Sequence, residues 1–185
     1  MRRRLLSMNG FDDTGERAFL DAYDRYADAL YRHCTFRVFS KEFARELVQE
    51  TFMKTWGYLA GGKRIENLRA FLYRTAHNLI IDASRRKREQ SLEAMREGHG
   101  DEERPFEPGD AGAQAHDIER RADIGKIFAT LKNLPEEIRT TLTLRYVDDL
   151  EPREIADILG ISANAASVRI HRALETLKKY LETKP

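Results

Sequence analysis

The chain has 185 residues, with 32 Lys+Arg against 31 Asp+Glu and a formal net charge of +1, so a surface for an anionic polymer must come from local segregation of charge. A single cysteine, Cys34, excludes an internal disulfide and any multi-cysteine zinc site and suits a reducing cytosol. No stretch approaches the ~20 apolar residues of a membrane span, and MRRRLLSMNG has the charges of an export signal without its apolar run of about seven or more.

Apolar residues follow helical spacing through the first half, where no proline precedes Pro105. Phe19, Tyr23, Tyr26, Ala27, Leu30 and Tyr31 form one amphipathic stripe, and Phe43, Leu47, Val48, Phe52 and Trp56 form a second. The pattern breaks over Gly57 to Lys63. A third helix begins near Leu68, uses Phe71, Leu72, Ala76, Leu79 and Ile80, and ends in the cationic DASRRKRE. His33 beside Cys34 is not metal-ligand spacing on a helix, so a structural or exposed role is expected there.

From Glu89 to about Asp117 the chain is rich in Glu, Asp, Gly and Pro, which predicts a flexible acidic tether. Helical spacing returns over 118–134 with Ile124, Ile127, Phe128 and Leu131, and Pro135 starts a helix holding Ile138, Leu142 and Leu144. In PREIADILGISANAASVRIHRALETLKKYL, Pro152 opens a helix that Gly160 stops, and Ser162 caps the next one almost at once. That last helix carries a stripe of Ala166, Ile170, Ala173, Leu177 and Leu181, expected to face its own domain. Such a corner is the layout of a helix-turn-helix, in which the second helix enters the DNA major groove; the alternative is an αα-hairpin with a solvated basic face. The fold expected is all-α: two small helical domains joined by a flexible acidic linker, the C-terminal one with a helix-turn-helix. No alternating strand signal and no internal repeat is present.

An enzyme needs convergent chemistry, and no GxxxxGK[ST] loop, HExxH or GxSxG occurs. The adjacent acids Glu102-Glu103, Glu136-Glu137 and Asp148-Asp149 read as solvated faces or helix N-terminal charges. The cations say more. Lys63, Arg64, Arg69, Arg74 and the SRRKRE tail share a helical region with Tyr73, His77 and Asn78; cations follow phosphates and aromatic rings stack on unpaired bases, although basic residues also complement a helix C-terminus.

Three segments, in order, resemble the sigma-70 family of bacterial RNA polymerase sigma factors, of the small extracytoplasmic function (ECF) type. ARELVQETFMKTW (44–56) looks like the family's core-binding helix, LRAFLYRTAHNLIIDASRR (68–86) its promoter-melting and −10-reading helices, and LKNLPEEIRTTLTLRYVDDLEPREIADILGISANAASVRIHRALETL its −35-reading domain. The resemblance implies a region 2-like domain over 14–90, a linker over 91–117 and a region 4-like domain over 118–185. It implies a non-enzymatic transcription initiation factor of the bacterial cytosol, without cofactor, monomeric when free and not inserted in membranes. Its partners would be core RNA polymerase (β′ clamp helices and β flap), promoter DNA and an anti-sigma factor.

Residue roles follow from the same resemblance. Polymerase binding falls to Glu46, Leu47, Gln49, Glu50 and Phe52. Reading and melting of the −10 element falls to Lys63, Arg64, Asn67, Tyr73, Arg74, Asn78, Arg85 and Arg86, and the −35 element to Arg153, Ser167, Val168, Arg169, His171 and Arg172. Where many members have Gly-Thr-Val and then a cation, this chain has Asn164, Ala165, Ala166 and Ser167, which removes a possible bidentate guanine contact. The linker acids Asp101 to Glu103 are expected to act as a spacer or as mimics of RNA phosphate.

Overall fold

The computed structural model describes the backbone of residues 13–97 and 125–183, and the side chains of 16–89 and 125–183. Most of the expected linker, with Asp101 to Glu103, and Ile124 lie outside the described residues. Among the described residues every regular element is helical: α1 (Asp13–Val38), α2 (Lys41–Ala60), α3 (Leu68–Glu97), α4 (125–132), α5 (Glu136–Leu142), a π-helical turn (Thr143–Val147), α6 (Pro152–Leu159) and α7 (Ala163–Thr183). None is long and apolar enough to cross a membrane.

Local chemistry accounts for the boundaries. Ser40 caps α2 by accepting from Phe43 N, and Asn67 Oδ1 accepts from Ala70 N at the start of α3. Gly160 adopts φ 66 to end α6, and Ser162 Oγ accepts from Ala165 N at 3.2 Å to begin α7, so the tight corner expected from the sequence is present. Glu151 and Glu154 form a reciprocal capping box around Pro152. Two expected breaks move: α2 continues through Gly57 to Ala60, and α3 runs past Glu89 to Glu97. A single exposed glycine inside a helix costs only about 1 kcal/mol, which burial of Thr51, Phe52 and Thr55 on the same helix outweighs.

Helices α1, α2 and α3 pack on one another as the first block, and α5, α6 and α7 form the second. The blocks are not apart. Leu30, Leu72, Ala76 and Ile80 of the first share a continuous core with Leu144, Leu150, Ile155, Ala156 and Ala166 of the second. A smaller core joins Leu131, Leu134, Leu142 and Ala173 to Phe36 and Phe39, and Phe36 stacks on Phe128 with ring centroids 4.1 Å apart.

Three apolar assignments change. Tyr23 (48% exposed), Ile127 (49%) and Leu181 (54%) point outward although helical spacing put them on buried stripes. A stripe drawn from spacing alone is wider than the strip a neighbouring helix covers, so its edge and its ends stay wet.

Candidate nucleic-acid and protein interfaces

Helices α1 and α2 leave between them a groove of about 750 Å³, lined by Phe19, Tyr23, Tyr31, Val48, Gln49, Phe52, Met53 and Trp56, with Asp28 and Arg45 at its rim. Its walls are built from packed rings: Phe19 meets Phe52 at 5.9 Å and Trp56 at 5.0 Å edge-to-face, and Tyr23 lies tilted 4.8 Å from Phe52. Glu46, Gln49 and Glu50 are exposed on α2, Glu50 pairing with Lys54 at 3.3 Å. Phe52 lines the groove although it is largely buried, whereas Leu47 is 3% exposed and is not part of its lining. Leu47 packs in the core in this arrangement. Sequence reasoning put Tyr23 and Tyr31 on an inward stripe and assigned no role to Met53, which is 65% exposed.

The second surface surrounds the loop before α3. Lys63 and Arg64 are exposed, with Lys63 Nζ 4.9 Å above the Tyr58 ring. Asn67 is spoken for at its Oδ1 by the helix cap. Asn78, Arg85 and Arg86 are exposed along α3, Arg85 near Asp82 (3.8 Å) and Glu89 (4.0 Å). Arg74 is exposed, yet its Nη2 donates to the Asp157 carbonyl of α6. Tyr73 departs most from expectation: it is 2% exposed, packs edge-on to His33 at 5.3 Å, and its hydroxyl lies 3.5 Å from Asp148 Oδ1. Burial, with Asp148 adding to it, pushes the phenol pKa up, and no base can stack on this ring in the observed arrangement.

On α7, Ser167, Val168, His171 and Arg172 are exposed, as is Arg153 on α6. Arg169 is half-buried and donates into an ion pair with Glu137 at 2.9 Å, and His171 sits 3.4 Å from Glu175. Both acids belong to the same block. Ser167 Oγ donates to the Ala163 carbonyl, leaving its lone pairs outward.

Between the surfaces runs a buried polar seam that the sequence did not announce. Asp148, expected to be solvated, is 8% exposed and accepts from His33 Nδ1 at 2.7 Å; His33 itself is fully buried. Arg69 donates to the Asp148 carbonyl at 3.0 Å and to Glu154 at 3.2 Å. Arg37, also buried, reaches Glu136 at 3.4 Å while its Nε and Nη1 have no protein partner among the described residues. Desolvation lowers the Arg37 pKa to about 10 against the pull of Glu136, and lowers His77 to about 4, with the Arg37 and His33 charges acting in the same direction. The Cys34 thiol is pushed up to about 12 by burial, then by Asp148, and is inert.

Two family models match the chain: sigma-70 region 2 over residues 22–90 and sigma-70 region 4 over 124–177. The chain is 30% identical to the ECF RNA polymerase sigma factor SigW of Bacillus subtilis, covering 89% of each chain, and 29% identical to SigE of Mycolicibacterium smegmatis over 92% of this chain and 66% of that one. By structure it is similar to the sigma factor RpoE of Bartonella quintana in its complex with the anti-sigma factor NepR, at a TM-score of 0.71, 20% identity and 91% and 99% coverage. CnrH, solved with the cytosolic domain of CnrY, follows at a TM-score of 0.65, 23% identity and 92% and 91% coverage. With both regions matched in order and a curated relative aligned along most of its length, this chain belongs to the sigma-70 family of RNA polymerase sigma factors, ECF type, whose members act in transcription initiation.

Proposed function

We propose that the chain binds core RNA polymerase, directs it to promoters with −35 and −10 elements, and helps melt the −10 region by capturing unpaired non-template bases. The observation that carries this reading is the exposure of two separate cationic surfaces, one in each matched region. Lys63, Arg64, Asn78, Arg85 and Arg86 belong to region 2 and Arg153, His171 and Arg172 to region 4. Cations of this kind follow the phosphate backbone, and Arg172, Val168 and Ser167 supply a donor, a methyl contact and a hydroxyl for base edges in a major groove.

The α1–α2 groove, with Glu46, Gln49 and Glu50 beside it, is the polymerase-docking face; charged groups set orientation and on-rate there, and the aromatic floor supplies affinity. Extruding a base costs a few kcal/mol, which binding of the single strand offsets, so no nucleotide hydrolysis is needed. The domains are assigned as 14–90, 91–117 and 118–185. An anti-sigma factor is an expected partner by analogy with the complexes of RpoE and CnrH.

The test is transcription by core polymerase with and without the purified chain, over a library of promoters. Specific starts that depend on the chain, and that weaken when Arg172 or Arg64 is replaced by alanine, are the expected result. Starts unaffected by the chain, or a chain that binds duplex operators as a dimer without polymerase, would overturn it.

A further inference from the structure

We propose that a cleft between α1 and the start of α3 is a binding site for a diphosphate group, held by Arg25, Arg32 and Arg69. None of these arginines has a role in polymerase or promoter binding assigned above, so the site stands apart from that reading.

The cleft encloses about 230 Å³. Arg25 and Arg32 stand seven residues apart on α1, which is two turns and so one helix face, and Arg69 comes across from α3. Among the described residues that line the cleft the one carboxylate is Asp148, so three guanidinium groups against one acid leave a net charge of +2. That acid is already engaged. Its Oδ2 accepts from His33 Nδ1 at 2.7 Å, and its Oδ1 lies 3.5 Å from the Tyr73 hydroxyl.

Other exposed or half-exposed arginines find acids: Arg85 meets Asp82, Arg145 meets Asp149 and Glu151, and Arg169 meets Glu137. Among the described residues no carboxylate pairs with Arg25 or Arg32. Acids do stand at the right spacing, with Asp21 four residues before Arg25 and Asp28 four before Arg32, the favourable order for a helical ion pair. Asp28 lines the α1–α2 groove instead. Arg25 lies 5.5 Å from the centroid of the Tyr26 ring, and that ring is part of the cleft wall. Arg69 is fixed by Glu154 at 3.2 Å and the Asp148 carbonyl at 3.0 Å, which use two of its five N–H donors.

One cation is thus held in place and two are unpaired beside it. Their mutual repulsion is relieved by a compact, multiply charged anion. Guanidinium forks take phosphate oxygens bidentately, and a diphosphate presents two adjacent phosphoryl groups to cations arriving from two helices. A cleft below the ~300 Å³ of the smallest drug-sized pockets suits such an anion, with any attached nucleoside lying outside it. Inorganic diphosphate and the diphosphate end of a nucleotide share this chemistry.

Calorimetric titration of the full chain with inorganic diphosphate at low ionic strength tests the site, with ADP and orthophosphate as further arms. Saturable binding of one diphosphate per chain is expected. It should weaken about tenfold or more in Arg25→Ala and in Arg32→Ala, since each loses charge-assisted hydrogen bonds, and weaken with added salt. Lys178→Ala, at an exposed cation of α7, should leave it unchanged. Both arginines are exposed, so thermal melts of the variants should match the wild type and separate lost binding from unfolding. ADP binding at least as tightly as diphosphate assigns the ligand to a nucleotide, and weaker ADP binding assigns it to the free anion; both support the site. No saturable binding, orthophosphate bound as tightly as diphosphate, or an equal loss in Lys178→Ala would overturn it. So would a single-stranded oligonucleotide that needs Arg25 and Arg32 while diphosphate does not bind, which would give the cleft to a DNA backbone.

Discussion

Nδ1 of His33 donates to Oδ2 of Asp148 across 2.7 Å, joining two residues 115 positions apart in a site that excludes solvent from both. Removing one member of such a pair strands the other. Asp148→Ala is expected to destabilise the fold by about 3–5 kcal/mol and His33→Ala by a similar amount. The double variant should cost less than the sum by about 1–3 kcal/mol, measured as a double-mutant cycle from urea unfolding. Additive losses would mean the two side chains act independently.

Leu47 and Met53 are six residues apart on α2 but differ in surroundings. Leu47→Ala should cost about 2–5 kcal/mol of stability, since the cavity it leaves lies among buried neighbours. Met53→Ala should change stability by less than about 0.5 kcal/mol yet weaken assembly with core polymerase by about tenfold, equal to ~1.4 kcal/mol. Thermal melts and titration of labelled polymerase separate the two effects.

Gly160 sits at φ 66 with open space where a Cβ would go, so its cost on substitution is conformational alone. Gly160→Ala is expected to lose about 1–2 kcal/mol, and Gly160→Asn distinctly less because asparagine tolerates the left-handed region. The order of their melting temperatures checks the assignment.

Burial keeps His77 neutral, its pKa lowered to about 4 from 6.5. Above 6.5 neither the folded nor the unfolded state holds the proton; between 6.5 and 4 the unfolded state binds it first, so this residue subtracts stability as pH falls through that window. The unfolding free energy of the wild type, from urea titration, should drop between pH 7.5 and 5 more than that of His77→Gln, by about 1–2 kcal/mol. Equal drops would show that the ring titrates freely in the fold.

Arg169 is paired with Glu137 on a half-open surface, where such pairs contribute about 0–1 kcal/mol. Glu137→Gln should therefore leave the melting temperature almost unchanged while strengthening binding to −35 duplex through the freed guanidinium. Arg172→Ala should weaken the same binding by about 1–3 kcal/mol with a shallower salt dependence, read from affinity against salt concentration.

The helical content, the corner at Gly160 and Ser162, the caps and the exposed cations at Lys63, Arg64 and Arg172 were legible in the sequence, because each rests on residues within a few positions of one another. The groove was half legible. Its α2 wall follows from LVQETF, but its depth comes from Phe19, Tyr23 and Tyr31 of α1 meeting Phe52 and Trp56, which spacing within either helix does not specify.

By itself the sequence determined which segments are helices, which residues cap them and which family they match, since hydrophobic period, turn residues and motif order are local properties. Only the tertiary structure decided that Asp148 is buried, that Tyr73 is covered and that the two blocks share one core. The reason is physical: whether an aspartate or a tyrosine meets water depends on what another segment, here 75 to 115 residues away, brings against it. Solvent exclusion is a property of assembled surfaces, and no period along the chain encodes it.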